Sequence, residues 1–284
     1  MELVTVYIPT YNRSDLLARA ILSVLNQSYT EVEIIVIDDN STDDTYAVVQ
    51  DFIKNDLRVK YFKNNENMGA CFNRNLAIRL STGYFLTGLD DDDYFTADRI
   101  EMFVNKWWGR DKNVIALYSN ITVKEFDNFY CKRTYPEKVN VKSLYIKNDV
   151  GNQIFTTKEY LNSSCCYDVN LKSCQDLELW IKLLTKHSFS SFINVDEYTY
   201  VLDKSHPHER ISSSSIEKHT KSINYIVDKY NIKGLDKNRL ISQVFTYDVR
   251  SIKLSYLVKH VLLSFNLYIY LRIIKYYIFN KKSR

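Results

Sequence analysis

Glycine is scarce in this chain, with six in 284 residues, and none of them falls in the spacing G-x-G-x-x-G or G-x-x-x-x-G-K-[ST]. The backbone loops that usually cradle phosphates are therefore missing, and a nucleotide diphosphate would have to be held by side chains and a metal ion. Cysteine is also sparse: Cys71, Cys131, Cys165, Cys166 and Cys174 are odd in number and form no C-x-x-C pair. That argues against a disulfide framework and a structural zinc site, and a reducing, cytoplasmic setting fits best. The net charge of +4 gives no general case for nucleic acid as a partner. The opening "MELVTVYIPTYNR" has no basic head followed by an apolar stretch, so no secretory signal is expected.

Strands and helices alternate over the first hundred residues. "LVTVYI", "VEIIVIDD", "RVKYFKN" and "YFLTGLDDDD" read as four strands rich in β-branched or aromatic residues. Between them, "SDLLARAILSVLNQ" places Leu16, Leu17, Ala20, Ile21, Val24 and Leu25 on one helical face behind a Ser14 cap, and "STDDTYAVVQDFIKN" and "GACFNRNLAIRLST" read as further helices. Such alternation with short connections implies an α/β fold with a mostly parallel sheet flanked by helices. After residue 114 the rhythm loosens into strands of a mixed extension, the helix "SCQDLELWIKLLTKH" and the strand "SFINVDEYTYVLD".

"TGLDDDDYF", residues 87 to 95, sets four carboxylates at the end of a buried strand. Four ionised Asp side chains repel by roughly 1 kcal/mol per close pair even in bulk water, so a positive group is expected among them. Ligands of open α/β sheets bind at the carboxyl ends of strands. A divalent cation with oxygen ligands, Mg²⁺ or Mn²⁺, would neutralise the run and grip a phosphate. The alternative is an acidic loop solvated by water.

The stretches "VYIPTYNRSDLLARAILSVLNQSY", "EIIVIDDNSTDDT" and "NENMGACFNRNLAIRLSTGYFLTGLDDDDYF" occur in the order and spacing of family 2 inverting glycosyltransferases of the GT-A fold, which the chain resembles over residues 3 to 105 and more weakly to about residue 215. The resemblance implies a Rossmann-like, mostly parallel mixed sheet and a UDP-sugar donor. It implies that Asp39 reads the uracil ring and that Pro9, Thr10 and Tyr11 line the base pocket. The family's D-x-D motif matches Asp90 and Asp92, with Asp92 the direct metal ligand, Asp90 nearer the ribose or the metal waters, and a one-residue ambiguity of register that keeps Asp91 and Asp93 in play. Arg74 stands where it would neutralise phosphate charge. In "SHPHERISSSS", which resembles a late family segment, His206, His208 and Arg210 would complete the diphosphate pocket.

The family's general base is the Asp of an "ED" pair before an apolar helix. Here that nominates Asp176, with Gln175 departing from the usual Glu and Glu178 as the competing base. Trp180 is expected either beneath the acceptor sugar or in the core. Residues 1 to 105 are then the nucleotide-sugar half, 106 to 215 the acceptor half, and 216 to 284 a helical extension. From its longest charge-free stretch, Val261 to Leu271, the aromatic and basic tail is too short for the roughly 20 residues of a membrane span. It reads as a surface-lying helix at the inner face of the cell membrane, an ordinary packed helix, or a contact in a homodimer. The likeness extends to bacterial enzymes of O-antigen and capsule synthesis, which implies a saccharide acceptor on a lipid diphosphate and UDP-glucose as donor. Two other classes remain open on the residues alone: a nucleotidyltransferase of similar build, and a sugar-binding module without catalysis.

Overall fold

A computed structural model describes residues 1–126, 130–162, 165–208 and 215–246, together with Ser264, Ile269 and Leu271. The chain divides into two compact units, one of Met1–Asn140, Val150–Val169 and Lys182–Pro207, the other of Val141–Asp149, Asn170–Ile181 and His208–Arg284.

Among the described residues the first unit is built on one ten-stranded sheet, eight strands of which follow in the order β3-β2-β1-β4-β9-β6-β10-β5, with β7 beside β6 and β8 beside β10. Strands β1 (Val4–Thr10), β2 (Val32–Asp38), β3 (Val59–Lys63) and β4 (Phe85–Gly88) run parallel. They alternate with helices α1 (Ser14–Leu25), α2 (Thr45–Asn55) and α3 (Ala70–Leu80), as the hydrophobic spacing predicts. Then come β5 (Tyr94–Phe95), α4 (Arg99–Trp108), β6 (Val114–Lys124), β7 (Tyr130–Arg133), β8 (Lys138–Val139), β9 (Phe155–Thr157) and β10 (Ser191–Asp203). β9 lies antiparallel between β4 and β6, which makes the sheet mixed.

Every residue of β1 and β2 is buried, as strands covered on both faces require. Val4, Val6 and Ile8 of β1 and Ile34 and Val36 of β2 join Leu17, Ile21 and Val24 of α1, Val49 of α2, and Phe103 and Trp107 of α4 in one core. α3 packs on β1 and β2 without entering that core, so it covers the other face. Ser14 is the first helical residue rather than the cap of α1, and its amide donates to Asp43 Oδ2 at 3.1 Å. Asp43 also accepts from the Thr45 amide at 3.1 Å, so one carboxylate serves the starts of two helices.

Glu33 and Arg99 are buried in this unit without any signal in the hydrophobic pattern. Glu33 on β2 accepts from Thr5 of β1, from Lys60 Nζ of β3 at 2.6 Å, and from Thr82 and Gly83 just ahead of β4. Burial would raise its carboxyl, but the hydrogen bonds from Lys60, Thr5 and Thr82 outweigh it and hold it at about 2. Arg99 lies among the rings of Phe95, Phe103 and Tyr200, at 4.6, 4.4 and 5.4 Å from their centroids, and donates to Ser119 and Thr199 at 2.7 Å each. Burial pulls its guanidinium down to about 9.

In the second unit, α7 (Ile216–Lys229), α8 (Gly234–Ser242) and a 3-10 turn at Gln243–Thr246 follow the helical expectation for the chain from residue 216, whereas α5 (Val141–Ile146) forms in a stretch whose sequence carries no helical reading. They are joined by the first residues, to Ile181, of α6 (Gln175–Lys186). Among the described residues no helix is long and apolar enough to cross a membrane. Most of the tail read as a surface-lying helix falls outside the described residues.

Candidate active site

Parallel pairing sets the carboxyl ends of three strands side by side: Thr10 is level with Asp38, and Tyr7 with Gly88. Past β4 the Leu89 amide donates to Tyr7 O at 3.0 Å, and the chain then turns tightly, the Asp93 amide donating to Asp90 O at 3.0 Å. This turn points the four carboxylates in different directions. Their compensation comes from partners on five separate stretches of the first unit.

Asp91 turns toward the loop after β1. It accepts from Thr10 Oγ1 at 2.8 Å and pairs with Arg13 at 3.0 Å. Burial pushes its carboxyl up to about 6; Arg13 opposes that rise and Asp92 adds to it. Asp92 Oδ2 lies 3.3 Å from both Arg13 Nη1 and His206 Nε2, and its backbone carbonyl accepts from Arg19 at 2.7 Å. Asp90 pairs with the buried Arg74 of α3 at 2.9 Å and accepts from Gln153 at 3.1 Å and Asn152 at 2.8 Å. Asp93, with no solvent exposure, accepts from the Tyr200 hydroxyl at 2.7 Å and from the Asp203 amide at 2.9 Å.

Sequence reasoning assigned the neutralisation of this run to a metal. The structure gives a large share of it to Arg13 and Arg74, of which Arg13 went unnoticed because one arginine in a loop carries no pattern. The neighbouring Asp203 is paired with Arg19 and Lys124. Burial raises its carboxyl, but Ser205 and Arg19 prevail and hold it at about 2. Oxygens of Asp90, Asp92 and Asp93 all lie within 4.8 Å of one another. Three carboxylates in one small space form the all-oxygen donor set that Mg²⁺ and Mn²⁺ prefer, so these residues fit a divalent cation.

Gly88 makes one of these contacts sterically feasible. A Cβ at this position would meet Gln153 Oε1 at 1.9 Å and the Tyr7 ring at 2.6 Å, so only glycine lets Gln153 come alongside β4 and reach Asp90.

At the end of β2 the two acids divide their duties. Asp38 is structural, accepting from the Ser41 amide at 2.7 Å and from the Tyr61 hydroxyl. Asp39 turns the other way and accepts from Asn64 at 3.0 Å, the Met68 amide at 2.7 Å and the Gly69 amide at 2.9 Å. Gly69 has a φ of +84, a conformation suited to glycine, directly ahead of α3. A carboxylate offers about four acceptor sites, so Asp39 keeps capacity for one more donor. Pro9 lies within β1, and the Tyr11 side chain beyond it is 46% exposed. Asn64, which also donates to Asn73 at 2.6 Å, was not read from the sequence.

Within the second unit, Asp176 stands in the first turn of α6 and is half-buried. Glu178 is completely buried and accepts from Lys229 Nζ at 2.7 Å and the Tyr230 hydroxyl at 2.6 Å. It serves as the anchor of α6 to the end of α7. Trp180 has no exposure and belongs to the core. Arg210 lies outside the described residues.

The description glycosyl transferase family 2 matches residues 5–166. Among curated relatives, WcaA of Escherichia coli K12, a glycosyl transferase assigned provisionally to colanic acid biosynthesis, is 34% identical over 221 residues, 75% of this chain and 76% of that protein. WfgD of Escherichia coli, a UDP-Glc:α-D-GlcNAc-diphosphoundecaprenol β-1,3-glucosyltransferase, is 28% identical over 189 residues, 66% of this chain and 72% of its own length. The crystal structure of Staphylococcus aureus TarS residues 1–349 with UDP-GlcNAc superposes with a TM-score of 0.66 at 21% identity, covering 89% of this chain and 77% of that one, and so shares the fold. The family pattern spans more than half of the sequence, and the chain belongs to glycosyl transferase family 2, as a transferase with the GT-A fold.

Proposed function

We propose that the chain moves a hexose, with UDP-glucose as the assigned donor, onto a saccharide carried by a lipid diphosphate, inverting the anomeric carbon, in the assembly of a bacterial O-antigen or capsule repeat unit. The carrying observation is the Asp90, Asp92 and Asp93 cluster at the carboxyl end of β4, bordered by Arg13, Arg74 and His206. The name of WfgD supports the lipid diphosphate acceptor, and the UDP-GlcNAc held by TarS supports a uridine nucleotide.

In this reading residues 1 to 105 hold the donor, with Asp39 accepting from the uracil ring and Pro9, Thr10 and Tyr11 against the base. Asp92 and Asp90 hold Mg²⁺ or Mn²⁺, which when bound supplies Lewis-acid stabilisation to the diphosphate of departing UDP. Arg74 and His206 face the diphosphate, and Asp91 fixes Thr10 and Arg13 beside it. Residues 106 to 215 hold the acceptor. Asp176 takes the proton of the attacking hydroxyl while the new C–O bond forms and the bond to UDP breaks. The commitment of Glu178 to Lys229 and Tyr230 supports Asp176 as the base. The segment from residue 216 brings the protein to the inner membrane surface.

The test is a panel of UDP-sugars offered with a synthetic lipid diphosphate saccharide, with and without Mn²⁺, reading UDP release and product linkage. Metal-dependent release from one donor with formation of an inverted product is expected. Release that ignores the metal, or no release from any UDP-sugar, would overturn the reading.

A further inference from the structure

We propose that the carboxamide of Asn152 is a resident stand-in for the divalent cation, a positioning group that holds Asp90 and Asp93 until the ion displaces it. The inference rests on the metal-dependent reading of the site. Asn152 follows Gly151, whose φ of +86 turns the chain just ahead of β9. Its Nδ2 donates to Asp90 Oδ2 at 2.8 Å and to the Tyr200 hydroxyl oxygen at 3.0 Å, and lies 3.5 Å from Asp93 Oδ2. The amide nitrogen must be the atom that faces these acids, because a carbonyl oxygen has no proton to offer a carboxylate.

Arg74 and Gln153 both engage Oδ1 of Asp90, whereas Asn152 meets its other oxygen. Asp90 and Asp93 belong to the trio whose oxygens lie within 4.8 Å of one another. An ion bonded to carboxylate oxygens sits at ~2.1 Å from them, closer than any hydrogen-bond donor. An ion held by Asp92 and Asp90 and bonded to Asp90 Oδ2, the oxygen Asn152 meets, would therefore claim the space the nitrogen uses, and the two occupants compete. A neutral amide compensates two carboxylates only in part, which suits a placeholder that must yield to a divalent charge.

Asn152→Ala in the full chain tests this, with Mn²⁺ binding followed by electron paramagnetic resonance and melting temperature measured in EDTA and in excess Mn²⁺. Removing one competing hydrogen-bond donor to a charged group is expected to tighten Mn²⁺ binding about tenfold. The variant should melt lower than wild type in EDTA and recover in Mn²⁺. A merely structural residue would lower both melting temperatures alike, and that result, or unchanged or weaker Mn²⁺ binding, overturns the proposal. Asn152→Ser, too short to span the two acids, carries the same expectation if the alanine variant does not fold. Wild-type protein that binds no Mn²⁺ would sink the metal-dependent reading itself, whereas normal wild-type binding with an unaltered variant sinks only the displacement.

Discussion

Tyr200 donates its hydroxyl hydrogen to Asp93 Oδ2 at 2.7 Å, and both residues are buried. Burial, then the charge of Asp93, pushes the phenol well above its usual value of 10, so it remains a donor at any working pH. Tyr200→Phe leaves Asp93 the Asp203 amide and removes a side-chain donor. A buried carboxylate that loses a donor costs about 1–3 kcal/mol. Urea unfolding should show a loss of that size, and a variant as stable as wild type would mean that Asp93 finds another donor.

Glu33 gives the fold a dependence on acid. Its carboxyl is held at about 2 against an ordinary 4.5. A depressed carboxyl stabilises the folded state fully above its unfolded value, and that contribution fades as pH falls from 4.5 toward 2. The displacement corresponds to roughly 3 kcal/mol at neutral pH. Glu33→Gln should therefore be less stable than wild type at about pH 7, with the gap between the two narrowing below pH 4.5. Urea midpoints measured from about pH 7 to about pH 3 check this, and a gap independent of pH would refute the assignment.

The β-branched and aromatic runs of β1 to β4 and the helical spacing of α1 and α4 repeat along the chain, and repetition is what a sequence displays. The acid-tipped strands were legible for the same reason, since Asp38, Asp39 and Asp90 to Asp93 are runs. The partners of those acids were not. Arg13, Asn64, Asn152 and Tyr200 are single residues from distant stretches, brought together only by the register of the sheet. Short elements such as β5, β8 and β9 are two or three residues long and too brief for periodicity to appear. Glu33 and Arg99 ran against the pattern, because their burial is compensated by partners the local sequence does not contain.

Gly88→Ala should injure the acidic site from outside it. The added methyl would stand 1.9 Å from Gln153 Oε1 and 2.6 Å from the Tyr7 ring, so Gln153 must withdraw from Asp90. Overpacking of this kind costs about 1–3 kcal/mol. Calorimetry in EDTA should show a lowered melting temperature, together with altered Mn²⁺ affinity. Unchanged affinity would mean that Gln153 does not help to orient Asp90.

The tail can be tested without knowledge of its conformation. Protein truncated to lack residues 260–284 is expected to sediment less with vesicles containing anionic lipid, because it loses aromatic and basic side chains suited to an interface. Equal sedimentation of the truncated and full-length proteins would refute anchoring by this segment.

Asp176 and Glu178 lie two residues apart on α6 and so project from different faces of the helix. Glu178 has its Oε1 engaged by Lys229 and Tyr230 with no exposure, so its loss should act on folding: Glu178→Gln weakens the bonds from Lys229 and Tyr230 and is expected to cost about 1–3 kcal/mol. Asp176 is half-buried in the first turn, and with the proposed role of general base its replacement by Asn should leave folding and UDP binding near wild type while removing transfer, a loss of at least about a hundredfold. Single-turnover transfer, UDP titration and urea unfolding on both variants separate the two roles. Transfer retained by Asp176→Asn would move the base elsewhere, and a Glu178→Gln protein of normal stability with no transfer would move it to Glu178.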